Sequence, residues 1–307
     1  MKKDRKIWKI VTTLIVVFSL AYYLNKNSEI FQDINNLSIK DILLVSFLNI
    51  LMIASYAILN KKMMDKIDKN VSYSDSFLMQ YANNFLNKIL PKGGTVFRGL
   101  YLKKRYRFPY SKFLATVGGL YIVTFVSYSM IGLISLLYIY LDTGIYNLLI
   151  TFAFLGLLAG TLFIILFNPK LNRERGKLFK AISEVLDGWK AIKRYPLDIF
   201  IFTLINLLVL LFNTLKIFFL YNSLGLEIDF IRGLYLSSIS VITMFINITP
   251  DGIGVNEAIY AFSSDVINIS PEGLVFGSMI SRIITVLSSF LLGGISYIIL
   301  LRRVEKE

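Results

Sequence analysis

The chain of 307 residues is 55% hydrophobic and only 17% charged, with a mean hydropathy of +0.63, a balance that excludes an ordinary water-soluble domain. It contains no cysteine and no histidine, which excludes disulfides, thiolate nucleophiles, haem attachment, His-based metal sites and His general bases. No Gly-x4-Gly-Lys-Ser/Thr phosphate loop is present, so ATP hydrolysis by this chain is not expected, and no cofactor or metal is implied. The formal charge of +13 reads through its placement: basic residues beside spanning helices stay in the cytoplasm and so report topology.

Apolar runs of about 20 residues, the length needed to cross a bilayer, recur between short charged segments, so the fold class is an all-α polytopic membrane protein. The opening MKKDRK leads into a span at 7–24; Tyr22 and Tyr23 with no small-residue cleavage pattern argue for a retained helix, and its basic start puts the N-terminus inside. Residues 25–41 form an outer loop. A second span at 42–60 returns to a cytoplasmic segment holding Lys61, Lys62, Lys66 and Lys69. Residues 73–102 read as a hairpin of two short helices, too polar (Asn83, Asn84, Asn87, Lys88, Arg98) to face lipid and interrupted by Pro91-Lys92-Gly93-Gly94. Basic segments on both flanks make it enter from, and return to, the cytoplasm. The following run, Lys103 to Arg107, lies beside a span and reads as orientation and anionic-lipid contact rather than nucleic-acid binding.

Spans at 113–140 and 146–167 go out and back. The basic loop after them holds Leu178, Ile182, Val185, Leu186, Trp189 and Ile192 at helical spacing, which predicts an amphipathic helix on the membrane surface. A span at 197–221 leads to a second hairpin, 233–268, broken by Thr249-Pro250-Asp251-Gly252-Ile253-Gly254 and flanked by Asp229 and Asp265. The last span, 273–301, ends in Arg302, Arg303 and Lys306, so both termini are expected in the cytoplasm and the protein in the cytoplasmic membrane. This gives six full spans and two re-entrant hairpins, or eight spans if the hairpins cross, in one membrane domain.

Setting Pro91 against Pro250 pairs Gly93 with Gly252, Val96 with Val255, Tyr101 with Tyr260 and, most informatively, Arg98 with Glu257. Each hairpin is preceded by a full span and followed by a proline (Pro109, Pro271) that opens a long one. Units 42–140 and 197–301 thus repeat in opposite orientation, joined by 141–196. Inverted repeats of this kind place interrupted helices around a cavity near the bilayer midplane, because broken backbone at that depth must be buried in protein or face water.

The first motif, Asn84 through Leu90-Pro91-Lys92-Gly93-Gly94 to Arg98, and the second, Thr249-Pro250-Asp251-Gly252-Ile253-Gly254-Val255-Asn256-Glu257, resemble the lysylphosphatidylglycerol synthase transmembrane region, a flippase-like family. The resemblance covers nearly the whole chain. It implies a translocase for a lipid or lipid-linked carrier, with the two broken hairpins forming the substrate cavity. Many members of that family carry a Glu-Arg pair in the span after the first hairpin; here that stretch reads Gly118-Gly119-Leu120-Tyr121, while the second half keeps Arg282. No aminoacyl-transfer domain follows Leu301 in this sequence, so aminoacyl-lipid synthesis is not expected.

Ionisable groups at membrane depth are costly enough to be functional by default. Arg98, Lys216 and Arg282 are candidates for an anionic head group, with Gly93, Gly94, Gly252 and Gly254 opening backbone amides to phosphate at the helix starts. Asp251 and Glu257 are candidate coupling carboxylates, Arg98 and Glu257 a candidate pair, and Pro91 and Pro250 the structural breaks. The polar stripes Ser278, Ser281, Arg282, Thr285, Ser289 and Asn206, Asn213, Lys216 either line a groove or bind helices together. The reading that follows is a flippase or scramblase for an anionic phospholipid or a polyprenyl-phosphate-linked head group. Membrane lipids are its expected partners, with a separate lipid-modifying enzyme and self-association left open. The alternatives are a membrane-embedded transferase and an accessory scaffold of envelope lipid or glycan synthesis.

Overall fold

The computed structural model describes residues 37–305 apart from 68–70, 91, 168, 170–176 and 247–248. The expected span at 7–24, most of the 25–41 loop, Pro91 and, of the basic residues after the 146–167 span, Lys170, Arg173 and Arg175 lie outside the described residues. Within them all regular structure is helical: α1 (Ile39–Ile67), α2 (Tyr73–Ile89), α3 (Gly93–Tyr106), α4 (Tyr110–Thr143), α5 (Leu148–Phe167), α6 (Lys177–Ile192), α7 (Pro196–Ser223), α8 (Phe230–Ile246), a 3-10 turn (Pro250–Gly252), α9 (Val255–Ala261), α10 (Ser264–Ile267) and α11 (Pro271–Glu305).

Five of these, α1, α4, α5, α7 and α11, are long and apolar enough to cross a membrane. At a 1.5 Å rise per residue, α2 and α8, each of 17 residues, reach only about 26 Å, short of the roughly 30 Å hydrocarbon core. α5 shows where lipid lies: Leu148, Leu149, Phe152, Phe163, Leu166 and Phe167 are exposed along it, while Ile150 and Phe154 turn inward.

Local chemistry sets the hairpins. Ser72 caps α2, its hydroxyl accepting the Asp75 amide at 3.0 Å. The chain breaks at Lys92, which adopts a left-handed conformation (φ 61°) before α3 begins. In the second hairpin Asp251, aligned with Lys92, is also left-handed (φ 51°). Residues with a side chain rarely accept this conformation, so its occurrence at equivalent places in both units is direct structural support for the repeat. Arg107 (φ 51°) and Asn268 (φ 60°) turn the chain in the same left-handed way shortly before Pro109 and Pro271.

Packing follows the same symmetry. The long last helix of each unit lies against the first hairpin arm of the other, α11 on α2 and α4 on α8, and the two leading spans α1 and α7 pack on each other. Asn49 and Asn206, each ten positions into its helix, make corresponding contacts. Asn49 donates to Ser288 of α11 at 3.4 Å, and Asn206 accepts from Thr124 of α4 at 3.0 Å.

The hairpins enter from opposite faces. At the base of the first, Asp75 accepts from Tyr101 at 2.8 Å and Tyr106 at 2.6 Å and pairs with Arg303 at the end of α11; Lys103, Lys104 and Arg302 flank this face. The base of the second meets the other ends of α4 and α5: Arg232 reaches Asp142 at 3.8 Å, and Asn147 donates to the Phe262 carbonyl at 2.6 Å. Both hairpins are therefore re-entrant.

α6 corrects one expectation. Its helix is present, but Leu186, Trp189 and Ile192 are buried in protein rather than laid on lipid, because α6 packs along α4. The two backbones approach so closely that a Cβ on Gly188 would stand 1.9 Å from the Ala115 carbonyl oxygen.

Gly94 makes a similar approach within the first hairpin, where a Cβ would lie 2.2 Å from the Asn83 carbonyl oxygen. Gly94→Ala is expected to force the arms apart and destabilise the protein by about 1–3 kcal/mol. Gly156→Ala, with open space around it, should be neutral or stabilising by up to about 1 kcal/mol. Thermal unfolding in detergent checks both.

Candidate functional site

The two hairpin tips meet inside the bundle, where their charges join. Lys88, in the last turn of α2, donates to Asp251 Oδ2 in the second break at 2.7 Å. Arg282 of α11 donates to the same oxygen at 3.2 Å and to the Asp251 backbone carbonyl at 3.0 Å. Its other terminal nitrogen reaches Glu257 Oε1 at 2.7 Å. Glu257 closes the network: its second oxygen accepts the Gly254 amide at 2.7 Å, and Ser278 donates to the first at 3.2 Å. Lys88 and Glu257 side chains are only 6% and 3% exposed, while Arg282 is 16% and Asp251, which faces the first chamber, 32% exposed, so the quartet is a largely buried, charge-balanced bridge between hairpins that enter from opposite faces.

Two polar chambers flank it. One of about 260 Å³ is lined by Tyr56, Asn87, Asn213, Ser240, Asp251 and Asn256, among others, with exposed Lys92 at its edge. The other, of about 230 Å³, is lined by Asn60, Gln80, Asn83, Thr95, Arg98 and Tyr121 among others. Tyr56, Asn87 and Met244 belong to both walls, so the chambers adjoin.

Arg98 and Glu257, equivalent in the repeat, do not pair. Arg98 donates to Asn60 Oδ1 at 2.7 Å and Gln80 Oε1 at 3.2 Å and lies over the Phe113 ring at 5.5 Å; Glu257 is taken by Arg282. The glycine cradle is also revised, because its amides are already used. Gly93 N–H donates to the Leu90 carbonyl at 2.9 Å, Gly94 N–H to Asn87 Oδ1 at 2.9 Å, and Gly254 N–H to Glu257. Gly252 lines the first chamber in a left-handed conformation (φ 68°), its amide 3.3 Å from the Thr249 carbonyl. Pro250 opens the second break. Lys216 is buried on α7, within electrostatic reach of Lys88, Asp251 and Arg282.

The polar stripes mostly bind helices together. Ser289 accepts from Asn84 at 3.2 Å, Asn213 donates to Ser237 at 2.7 Å, and the Thr285 hydroxyl returns to its own helix at the Arg282 carbonyl. Lys88, Asn60 and Gln80 are the site residues that motif reading passes over. Their signal is polarity on helices that must be buried at membrane depth. No group of three or more Asp, Glu, His or Cys able to hold a metal occurs among the described residues.

Comparison with known proteins places this sequence in a family. The sequence profile described as the lysylphosphatidylglycerol synthase TM region matches residues 7–293. Two UPF0104 membrane proteins of Methanocaldococcus jannaschii are similar. One is 23% identical over 97% of this chain and 96% of its own length, and the other is 28% identical over 73% of this chain and 97% of its own. No solved structure matches the chain significantly.

Removing one member of a buried ion pair strands the other. Glu257→Gln is expected to cost about 3 kcal/mol or more, and Arg282→Gln to cost at least about 1 kcal/mol less in that background than in the parent protein. A double-mutant cycle on unfolding midpoints in detergent measures the coupling; additive losses would show that the pair is not formed.

Proposed function

The chain belongs to the lysylphosphatidylglycerol synthase transmembrane-region family, and from that membership and the cavity at its centre we propose that it is a lipid translocase. It moves an anionic phospholipid or a polyprenyl-phosphate-linked head group across the cytoplasmic membrane, with the basic face in the cytoplasm. One observation carries this reading: hairpins from opposite faces end at one buried polar site, where three of the five clustered charges are cations (Lys88, Lys216 and Arg282 against Asp251 and Glu257). A polar head group needs such a path, whereas its acyl or prenyl tail can remain in lipid.

The quartet supplies the gate. Lys88 and Arg282 bind Asp251 from different helices, and a phosphate entering the first chamber competes with that carboxylate for both. Loss of the Lys88–Asp251 contact separates the tips. The two units can then rock about the α1–α7 contact, so that the chambers open first to one face and then to the other. Glu257 remains on Arg282 and caps α9, which keeps the second break intact while the tips part. Both carboxylates are occupied by cations, which argues against their use as a general acid and base and for transport over transferase chemistry.

Fluorescent phosphatidylglycerol and polyprenyl-phosphate reporters in proteoliposomes test the proposal. Movement of either reporter should depend on the protein and fall at least about tenfold in Glu257→Gln and in Arg98→Ala. Folded protein that moves neither reporter, with or without a pH gradient, would contradict it.

A further inference from the structure

Within the quartet the charges cancel, two cations against two carboxylates, which leaves two buried cations outside any ion pair among the described residues. Arg98, 6% exposed, meets only the neutral oxygens of Asn60 and Gln80 and the Phe113 ring. Its Nε is buried without a hydrogen-bond partner, as is the Asn83 Oδ1 that lines the same chamber. Lys216, 9% exposed, has no hydrogen-bond or ion-pair partner among the described residues. It lies three positions beyond Asn213, a wall residue of the first chamber, and of the charges near it Lys88 and Arg282 add positive potential that the single carboxylate of Asp251, already shared by those two cations, only partly offsets.

The repeat makes the deficit specific. Glu257 of α9 is answered by Arg282, eleven positions into α11 counted from Pro271. At the equivalent place in the first unit Arg98 stands where Glu257 does, and eleven positions on from Pro109 are Leu120 and its neighbour Tyr121. Leu120 and Tyr121 both line the Arg98 chamber, and neither supplies a carboxylate. A buried cation outside an ion pair is costly; two of them, Arg98 in the wall of one chamber and Lys216 one helical turn from Asn213 in the wall of the other, call for a ligand that brings both charges.

We propose that the site takes a lipid head group with two phosphoryl centres, one in the Arg98 chamber and one beside Lys216 in the first chamber. This rests on the translocase reading and narrows its substrate class to a lipid diphosphate or to two phosphates bridged in one head group. Lipids with a single phosphoryl centre fit less well, because they leave either Arg98 or Lys216 without an anion.

The test compares ligands that share a tail, using purified full-length protein. Geranylgeranyl diphosphate should bind at least about tenfold more tightly than geranylgeranyl monophosphate, and cardiolipin more tightly than phosphatidylglycerol if bridged phosphates serve equally. A preference confined to the prenyl pair assigns the site to diphosphates. Arg98→Gln and Lys216→Met should each bring the diphosphate down to the monophosphate affinity. Lys216→Met should also raise the thermal midpoint of the unliganded protein, since it removes an unmatched buried charge, whereas a purely structural lysine would lower it. Equal affinities for the one- and two-phosphate ligands, or a preference that survives Lys216→Met, would overturn the proposal. Preferential binding without lipid movement in proteoliposomes would leave the two-phosphoryl site standing and remove translocation; movement without the preference would do the reverse.

Discussion

The structure depends on neutralising charge at the point where two interrupted helices meet inside a membrane domain. A broken helix in hydrocarbon leaves amides and carbonyls without partners, and each costs several kcal/mol unless protein or water satisfies it. Here the second break is closed by Glu257, which holds the Gly254 amide, and Glu257 is in turn held by Arg282 of α11. Lys88 then ties that assembly to the tip of the first hairpin through Asp251. Removal of Asp251 leaves Lys88 without its carboxylate and removal of Arg282 leaves Glu257 without its cation, so the geometry of both tips is set by a single connected network.

The repeat gives two similar scaffolds with opposite chemistry. The breaks share a left-handed residue after the proline position, yet one is Lys92 and the other Asp251; the helix that follows carries Arg98 in one unit and Glu257 in the other. Identical halves would have placed like charges face to face at the centre. The divergence instead produces attraction between the tips and leaves a surplus of cations around them.

Much of this was legible in the sequence. Spans, breaks and the repeat are local features carried by hydropathy, proline and glycine, and among the described residues helices lie where that reading puts them, α2 and α3 covering 73–106 against an expected 73–102 and α1 covering 39–67 against 42–60. What was not legible depends on partners distant in the chain. Arg98 and Glu257 are matched by alignment but not by contact, because the partner of Glu257 lies 25 positions on, across the α10–α11 turn. The glycines read as a phosphate cradle because sequence shows a flexible backbone but not the acceptors that already occupy its amides. The amphipathic pattern of α6 distinguishes an apolar face without saying whether lipid or α4 covers it; only the Gly188 contact decides that.

The most direct measurement is cross-linking of the two tips in native membranes, for which the absence of cysteine provides a clean background. Lys88→Cys combined with Asp251→Cys should be joined by a short bifunctional thiol reagent, and pairing Lys88→Cys with a cysteine replacing Gly144, at the far end of α4, should not. Failure of the first pair to cross-link, with each single variant labelled rapidly by a membrane-impermeant reagent from opposite sides, would contradict the meeting of the hairpins on which the site is built.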